Sequence, residues 1–311
     1  MINNITDKIY GAFYGVAIGD ALGATVEHER KENIVSKYGV LKDIIGGGWL
    51  NLKPGEWTDD TEMTLAVAEG IIENKADPVP KIGEHFLRWA ATNPYDIGGT
   101  VKTAIRSMWI YNLSNYEWEI AAKKAHEWLD GKSAGNGALM RTIPVGIVYK
   151  DEIDIIKRSV AIAKMTHFDP KAGLTCAIYS LMVHYILYGE KDKLRVLNKS
   201  INFISESIVV NDEITKIFED IIEINKNDLI PNGYTINTLK CALWAFLESE
   251  NPEQAIINAV NLGGDADTIG AIAGGLAGVY WGYKEIPKRW VKKLRNKKKL
   301  NKICKSILKY V

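Results

Sequence analysis

The chain has 311 residues, 47% hydrophobic and 25% charged, with a net charge of +1. That balance excludes a disordered or fibrous chain and supplies enough apolar material for a large core, either as one domain or as two fused ones. No Ser/Pro/Gly linker or low-complexity tract divides the sequence, so one domain over residues 1–311 is expected. Cys176, Cys241 and Cys304 lie far apart, without the paired spacing of a disulfide framework or a zinc site, and no signal-peptide pattern precedes them. A reducing, cytoplasmic setting is therefore expected. The longest uncharged apolar run, residues 269–283, falls short of the roughly 18–20 residues that span a bilayer, which predicts a buried helix and no membrane partner.

In chain order, Thr6-Asp7 is a candidate helix cap, followed by an apolar helix over 8–23 with glycine at 11, 15, 19 and 23. Each glycine weakens an isolated helix by up to about 1 kcal/mol relative to alanine, so a four-residue glycine stripe needs a packing reason. The same stripe recurs at Gly270, Gly274, Gly278 and Gly282. The expectation is that both striped helices lie in the crowded centre, in close backbone contact with their neighbours and with each other as candidate partners. Asp20, inside the first of them, must be a hydrogen-bonded anchor or a site residue. Residues 31–56 contain scattered charges, Gly46-Gly-Gly48 and Pro54-Gly55, and are expected to be loop.

A helix to about Asn74 follows Thr58-Asp59-Asp60, and apolar residues at three- and four-residue spacing predict helices over 78–91, 100–112 and 116–129. Between the first two of these, the turn 93–99 presents Asp96. The glycine-rich loop Asp130-Gly-Lys-Ser-Ala-Gly-Asn-Gly137 exposes amides that could cradle a phosphate and runs into the apolar stretch 138–149. Helical patterns continue over 151–166, 170–188, 191–209, 212–225, 235–249 and 252–260. No segment alternates with period two for more than a few residues, so the fold class is all-α. Charge is uneven: residues 288–311 contain eleven Lys or Arg and no acid, leaving 28 basic against 38 acidic residues elsewhere. Trp290, Leu294, Ile303 and Ile307 make this tail a basic amphipathic helix over about 288–311. A solvated helix docked on the body is the simplest reading and contact with an acidic partner the other; without aromatic interleaving, nucleic acid is not an expected partner.

Two stretches place oxygen donors at the mouths of apolar helices. One is Thr58-Asp59-Asp60; the other is Asp265-Ala-Asp267-Thr268. With no Cys or His beside them, such donors suit Mg²⁺ or Mn²⁺ and not zinc. So many acids would repel one another around a single divalent ion, whereas two ions about 3.5–4 Å apart would share them and could activate water or grip vicinal hydroxyls. Helix N-termini oppose a cation, so the carboxylates must outweigh the dipoles. The competing reading is that these residues are ordinary helix caps.

Five stretches together resemble the ADP-ribosylglycohydrolase family, and within it the bacterial dinitrogenase reductase-activating branch. They are Gly19-Asp-Ala-Leu-Gly-Ala-Thr-Val-Glu27, Pro54-Gly-Glu-Trp-Thr-Asp-Asp-Thr61, Gly135-Asn-Gly-Ala-Leu-Met-Arg-Thr-Ile-Pro144, Thr166-His167 and Gly263-Gly-Asp-Ala-Asp-Thr-Ile-Gly270. Residues of about 189–235 and the tail add nothing to it. The resemblance implies an all-helical enzyme with two Mg²⁺ or Mn²⁺ ions in a central cleft. Such an enzyme cleaves the bond between C1″ of ADP-ribose and a protein side chain, so its substrate is an ADP-ribosylated protein and its product ADP-ribose. By motif position it implies Thr58, Asp59, Asp60, Asp265, Asp267 and Thr268 as metal ligands, with Asp60 and Asp267 counted as catalytic through the metals. Glu27 matches an acid that ligates a metal or transfers a proton, and Asp96 an acid near the reacting ribose. Ser133, Gly135, Asn136 and Gly137 would take the diphosphate and ribose, and His167 would contribute to the ADP-ribose pocket.

Loss of a leaving group from an anomeric carbon passes through an oxocarbenium-like state, which carboxylates suit. A helical metal-dependent phosphohydrolase of the HD type would need His-Asp adjacency, and none of the five histidines precedes Asp. A non-catalytic ADP-ribose-binding relative would be expected to lose metal acids, yet all are present.

Overall fold

The computed structural model describes the backbone of residues 2–311 and the side chains from Asn4 onward. The first half folds into α1 (Ile2–Gly23), α2 (Lys31–Tyr38), α3 (Asp59–Glu73), α4 (Val79–Ala90), α5 (Gly99–Ile110), α6 (Trp118–Trp128) and, after a 3-10 turn at Leu139–Arg141, α7 (Ile143–Val148). The second half adds α8 (Glu152–Ala163), α9 (Pro170–Leu187), α10 (Lys193–Ser207), α11 (Asp212–Ile222), α12 (Thr235–Leu247), α13 (Pro252–Val260), α14 (Ala266–Trp281), α15 (Lys288–Lys293) and α16 (Lys297–Ile307). The fold is all-α: among the described residues the only β-type pairings are isolated bridges, Gly47 with Leu52 and Gly135 with Tyr234. No described helix is long and apolar enough to cross a membrane.

The glycine stripes meet each other. A Cβ on Gly15 would overlap the carbonyl oxygen of Gly274, and one on Gly274 would overlap that of Gly15; Gly11 pairs with Gly278 and Gly19 with Gly270 in the same way. Falling partner numbers against rising ones make α1 and α14 antiparallel, with backbone against backbone along the shared face. α1 is buried from Gly11 to Gly23 and α14 from Ala266 to Val279. Around this pair, α13 and α12 pack on α14, α9 packs on α7, α8 and α12, and α3 packs on α4. The apolar residues of all these elements join one core. The cysteines are buried free thiols.

Four expectations about local structure are corrected. Thr6-Asp7 does not begin α1, which already runs from Ile2; the Asp7 carboxylate instead accepts the amide of Lys284 at 3.3 Å, tying the far ends of the two striped helices. Within the expected loop 31–56, α2 forms, with Ile34 as its one buried residue, too short an apolar pattern to show a period. The apolar run 138–149 divides into the 3-10 turn and α7, with Pro144 in the first helical turn. The basic tail is two helices, broken at Leu294–Asn296: the Arg295 amide leaves the helix to donate to the Gly55 carbonyl at 2.9 Å, and Asn296 takes φ 49°. Trp290, Leu294, Ile303 and Ile307 are all buried, as the stripe requires.

The spine makes a stability prediction. Gly15→Ala or Gly274→Ala forces a methyl into facing backbone that cannot rotate away, and should cost about 3 kcal/mol or more, or prevent folding. Gly99→Ala, where a Cβ meets only open space, should change stability by less than about 1 kcal/mol. Urea unfolding checks the contrast; equal effects at Gly15 and Gly99 would contradict it.

Candidate active site

The antiparallel contact sets the start of α14 beside the end of α1: a Cβ on Gly23 would overlap Ala266 and Asp267. Asp20, one turn earlier and fully buried, fixes the start of α3 to the same place. Its carboxylate accepts the Thr58 amide at 2.9 Å, the Thr61 amide at 3.0 Å, the Thr58 hydroxyl at 3.0 Å and the Thr61 hydroxyl at 2.5 Å. Of the two roles open to it, Asp20 is the anchor. Thr58 makes no side-chain capping bond on its own helix and neither does Asp265, so the helix-cap reading fails at both. The two donor stretches touch: the Thr268 hydroxyl donates to Oδ2 of Asp60 at 3.3 Å across 208 residues of sequence.

Above this junction lies a cavity of about 690 Å³. Five of the predicted acids, Glu27, Asp59, Asp96, Asp265 and Asp267, line it, together with Thr268; Thr58 and Asp60 lie buried beneath. Oxygens of Glu27, Asp96 and Asp267 approach within 4.8 Å of one another, a spacing that one cation could bridge. Asp59 accepts the Gly98 amide at 3.4 Å, and Asp265 accepts Nδ2 of Asn136 at 2.5 Å. Oδ1 of Asp60 is buried with no hydrogen-bond partner among the described residues. A bare carboxylate oxygen costs several kcal/mol there unless a proton or a cation meets it.

The electrostatics agree. Burial, and then repulsion from neighbouring acids, pushes Asp60 and Asp267 well above the usual carboxylate range. Burial raises Asp59 to about 6 against the opposing Gly98 amide bond, while burial followed by Asp59 and Glu27 raises Asp96 to about 8. Glu27 is also raised by burial, against the pull of its bond from Trp49. Among the described residues no Lys or Arg lines the cavity. This is a set of hard anionic donors short of positive charge.

The opposite wall comes from the glycine-rich loop. Gly135, Asn136, Gly137 and His167 all line the cavity, and a Cβ on either glycine would crowd the His167 ring. The imidazole is oriented from behind. Arg141 donates to the Thr166 hydroxyl at 2.8 Å, and that hydroxyl shares a hydrogen bond with Nδ1 of His167 at 2.8 Å. Nε2 lies toward the glycine wall. Ser133 is a correction: its hydroxyl is buried outside the cavity, bonded to Nδ1 of His126 at 2.7 Å and to the Asp169 amide at 3.1 Å, so it braces the loop.

Sequence reasoning missed Trp49, the start of α5 over residues 98–101 and Pro231–Gly233, which also line the cavity. The last of these joins the two walls through backbone, with the Asn136 amide on the Gly233 carbonyl and the Asp265 amide on the Pro231 carbonyl. Backbone contributions of this kind carry no side-chain signature.

The family model described as ADP-ribosylglycohydrolase matches residues 1–311. The ADP-ribosyl-[dinitrogen reductase] glycohydrolase of Rhodospirillum rubrum is 34% identical over 298 residues, covering 94% of this chain and 91% of that protein. The ADP-ribosylarginine hydrolase Tri1 of Serratia proteamaculans is 28% identical, over 97% of this chain and 79% of its own. A solved structure titled ADP-ribosylglycohydrolase-related protein complex superposes with a TM-score of 0.82 at 30% identity, covering 99% of both chains.

Burial, and secondarily Arg141, pushes the His167 imidazole down to about 3. The unfolded chain takes up this proton near the ordinary 6.5, and the native state refuses it. The stability held by the neutral ring is thus complete above pH 6.5 and is lost as pH falls toward 3. The stability advantage of the wild type over His167→Gln should shrink by up to about 1.4 kcal/mol per pH unit below pH 6. Urea titrations at pH 7, 6 and 5 measure it; a difference independent of pH would contradict the buried neutral ring.

Proposed function

The chain belongs to the ADP-ribosylglycohydrolase family, and on that premise we propose that it hydrolyses the C1″ glycosidic bond joining ADP-ribose to a modified protein side chain. The observation that carries this reading is the meeting of the two donor stretches beneath one cavity, through Thr268 and Asp60.

The residues fit a pair of divalent cations. An orphaned buried oxygen on Asp60, carboxylates driven toward protonation and the lack of a lining Lys or Arg among the described residues describe a site that Mg²⁺ or Mn²⁺ would complete. Thr58, Asp59, Asp60, Asp265, Asp267 and Thr268 would hold the ions, with Glu27 at their edge. When bound, such ions supply Lewis acidity toward oxygen atoms of the ribose and of water.

The protein's own groups do the rest. The first-turn amides of α5 have no side-chain cap, and Gly98 and Gly99 leave open space before them. Together with the amides of the 134–137 loop they offer donors to the diphosphate. The neutral His167 ring, with Nε2 toward Gly135, adds a polar group on that wall. Glu27 faces the reacting ribose, where negative charge favours the developing oxocarbenium. Asp96, half-buried and free of hydrogen bonds from any described group, is the carboxyl placed to pass a proton to the departing side-chain atom. In balance, a water oxygen bonds to C1″, the bond from C1″ to the side chain breaks, and the leaving atom gains a proton.

Asp60→Asn and Asp267→Asn should each lower the release of ADP-ribose from modified protein by at least about 100-fold. Undiminished activity in either would contradict the reading. Ion binding has its own signature. Carboxylates raised to about 6 at Asp59 and about 8 at Asp96 contribute stability that is present below their ordinary range and is lost as pH rises through those values. Added Mn²⁺ should therefore raise the melting temperature more at pH 8 than at pH 5, and Asp60→Asn should abolish that gain.

A further inference from the structure

Gly98 and Gly99 line the cavity and are themselves exposed, so the cavity opens at the start of α5. From this mouth the helix runs outward about 15 Å to Ile110. Lys102, Arg106, Trp109 and Ile110 follow one another at helical spacing along its exposed face. α5 contains no acid, and among the described residues neither Lys102 nor Arg106 enters an ion pair. Trp109, Ile110 and Tyr111 are 44–57% exposed, and the Tyr111 ring lies 5.8 Å from that of Trp128, itself 44% exposed. At the other end Tyr95, next to the cavity-lining Asp96, is 93% exposed. Large apolar side chains left in water beside unpaired cations are what protein interfaces use, with Trp, Tyr and Arg carrying most of the energy. A modified side chain that reaches into the cavity brings its protein against the mouth. A footprint of about 800 Å² centred there extends roughly 16 Å, far enough to cover α5 to its end.

We propose that the outer face of α5 is the docking surface for the protein that carries the ADP-ribose, and that it selects a partner whose surface beside the modified side chain is acidic with an apolar patch. This rests on the hydrolase reading above and deepens it by naming the partner's chemistry. Carboxylates near the modified residue meet Lys102 and Arg106, and apolar groups cover Trp109 and Ile110. The recognition lies outside the cavity, so it is independent of which side-chain atom is bonded to C1″. Continuity with the cavity mouth favours the substrate protein over a second copy of the chain. The C-terminal tail is more basic, but it buries Trp290, Leu294, Ile303 and Ile307 and so offers charge without an aromatic anchor.

The test uses an acidic carrier protein bearing one ADP-ribosylated side chain and the short modified peptide cut from it. The enzymes are wild type, Arg106→Glu, Trp109→Ala and, as an equal charge change on the exposed tail, Lys302→Glu. Arg106→Glu and Trp109→Ala should each lower kcat/KM for the whole carrier about 10-fold, through KM, and change the peptide value less than about 2-fold. Lys302→Glu should change neither. An equal loss on carrier and peptide, no loss on the carrier, or the same loss from Lys302→Glu would overturn the proposal. Affinity for the modified carrier, measured by fluorescence anisotropy, is read separately from turnover and should fall about 10-fold in Arg106→Glu. A wild type that cleaves neither substrate refutes the hydrolase reading, whereas equal carrier affinity in wild type and Arg106→Glu refutes the docking surface. A wild-type dimer in sedimentation that Trp109→Ala dissociates would assign the face to a second copy and overturn the proposal as well. Unchanged circular dichroism and melting temperature show that the variants are folded.

Discussion

Backbone contact between α1 and α14 is the constraint on which the rest depends. Four-residue glycine spacing on both helices removes every side chain between them, so their relative position is fixed by main-chain atoms that have no rotamers. Because the pair is antiparallel, the end of α1 and the start of α14 are held at one level. The candidate cation donors gather at that level: Asp20 with α3 in its grip, Glu27 just beyond, and Asp265 to Thr268 opposite. A looser interface would let five carboxylates drift apart, which is what their mutual repulsion favours.

The site opposes the fold that holds it. Acids buried beside acids, including one oxygen with no partner, are unfavourable until positive charge arrives. Asp20 offsets part of this by satisfying four donors at the start of α3. The His167 wall is built on the opposite principle: a fully buried Arg141 organises a neutral imidazole through Thr166, with no charge presented to the cavity itself. One side of the cavity thus concentrates negative charge while the other offers neutral donors. That division suits a substrate whose ribose meets cations and whose diphosphate meets amides.

Much of this was legible in the sequence because it resides in side chains with a period or a spacing. The twin glycine stripes pointed to a crowded centre, and oxygen donors at two helix mouths pointed to a divided cation site; the family resemblance supplied the substrate. What escaped lacked such a signal. Ile34 alone anchors α2, so no helical period shows. The tail breaks at Arg295 because Gly55, 240 residues earlier, accepts its amide, a tertiary demand invisible locally. Ser133 sits in the right loop, but its hydroxyl turns inward to His126. Trp49 lies in a glycine-rich stretch that pattern reading assigns to loop, and Pro231–Gly233 act through carbonyl groups that any residue carries.

The central claim is that donors about 200 residues apart form one divalent-cation centre. Electron paramagnetic resonance of the Mn²⁺-loaded protein tests it most directly. The account predicts two Mn²⁺ per chain with a spin-coupled spectrum, and loss of that coupling on substitution in either stretch, Asp60→Asn or Asp267→Asn. Uncoupled ions, each removed by one substitution and indifferent to the other, would contradict it.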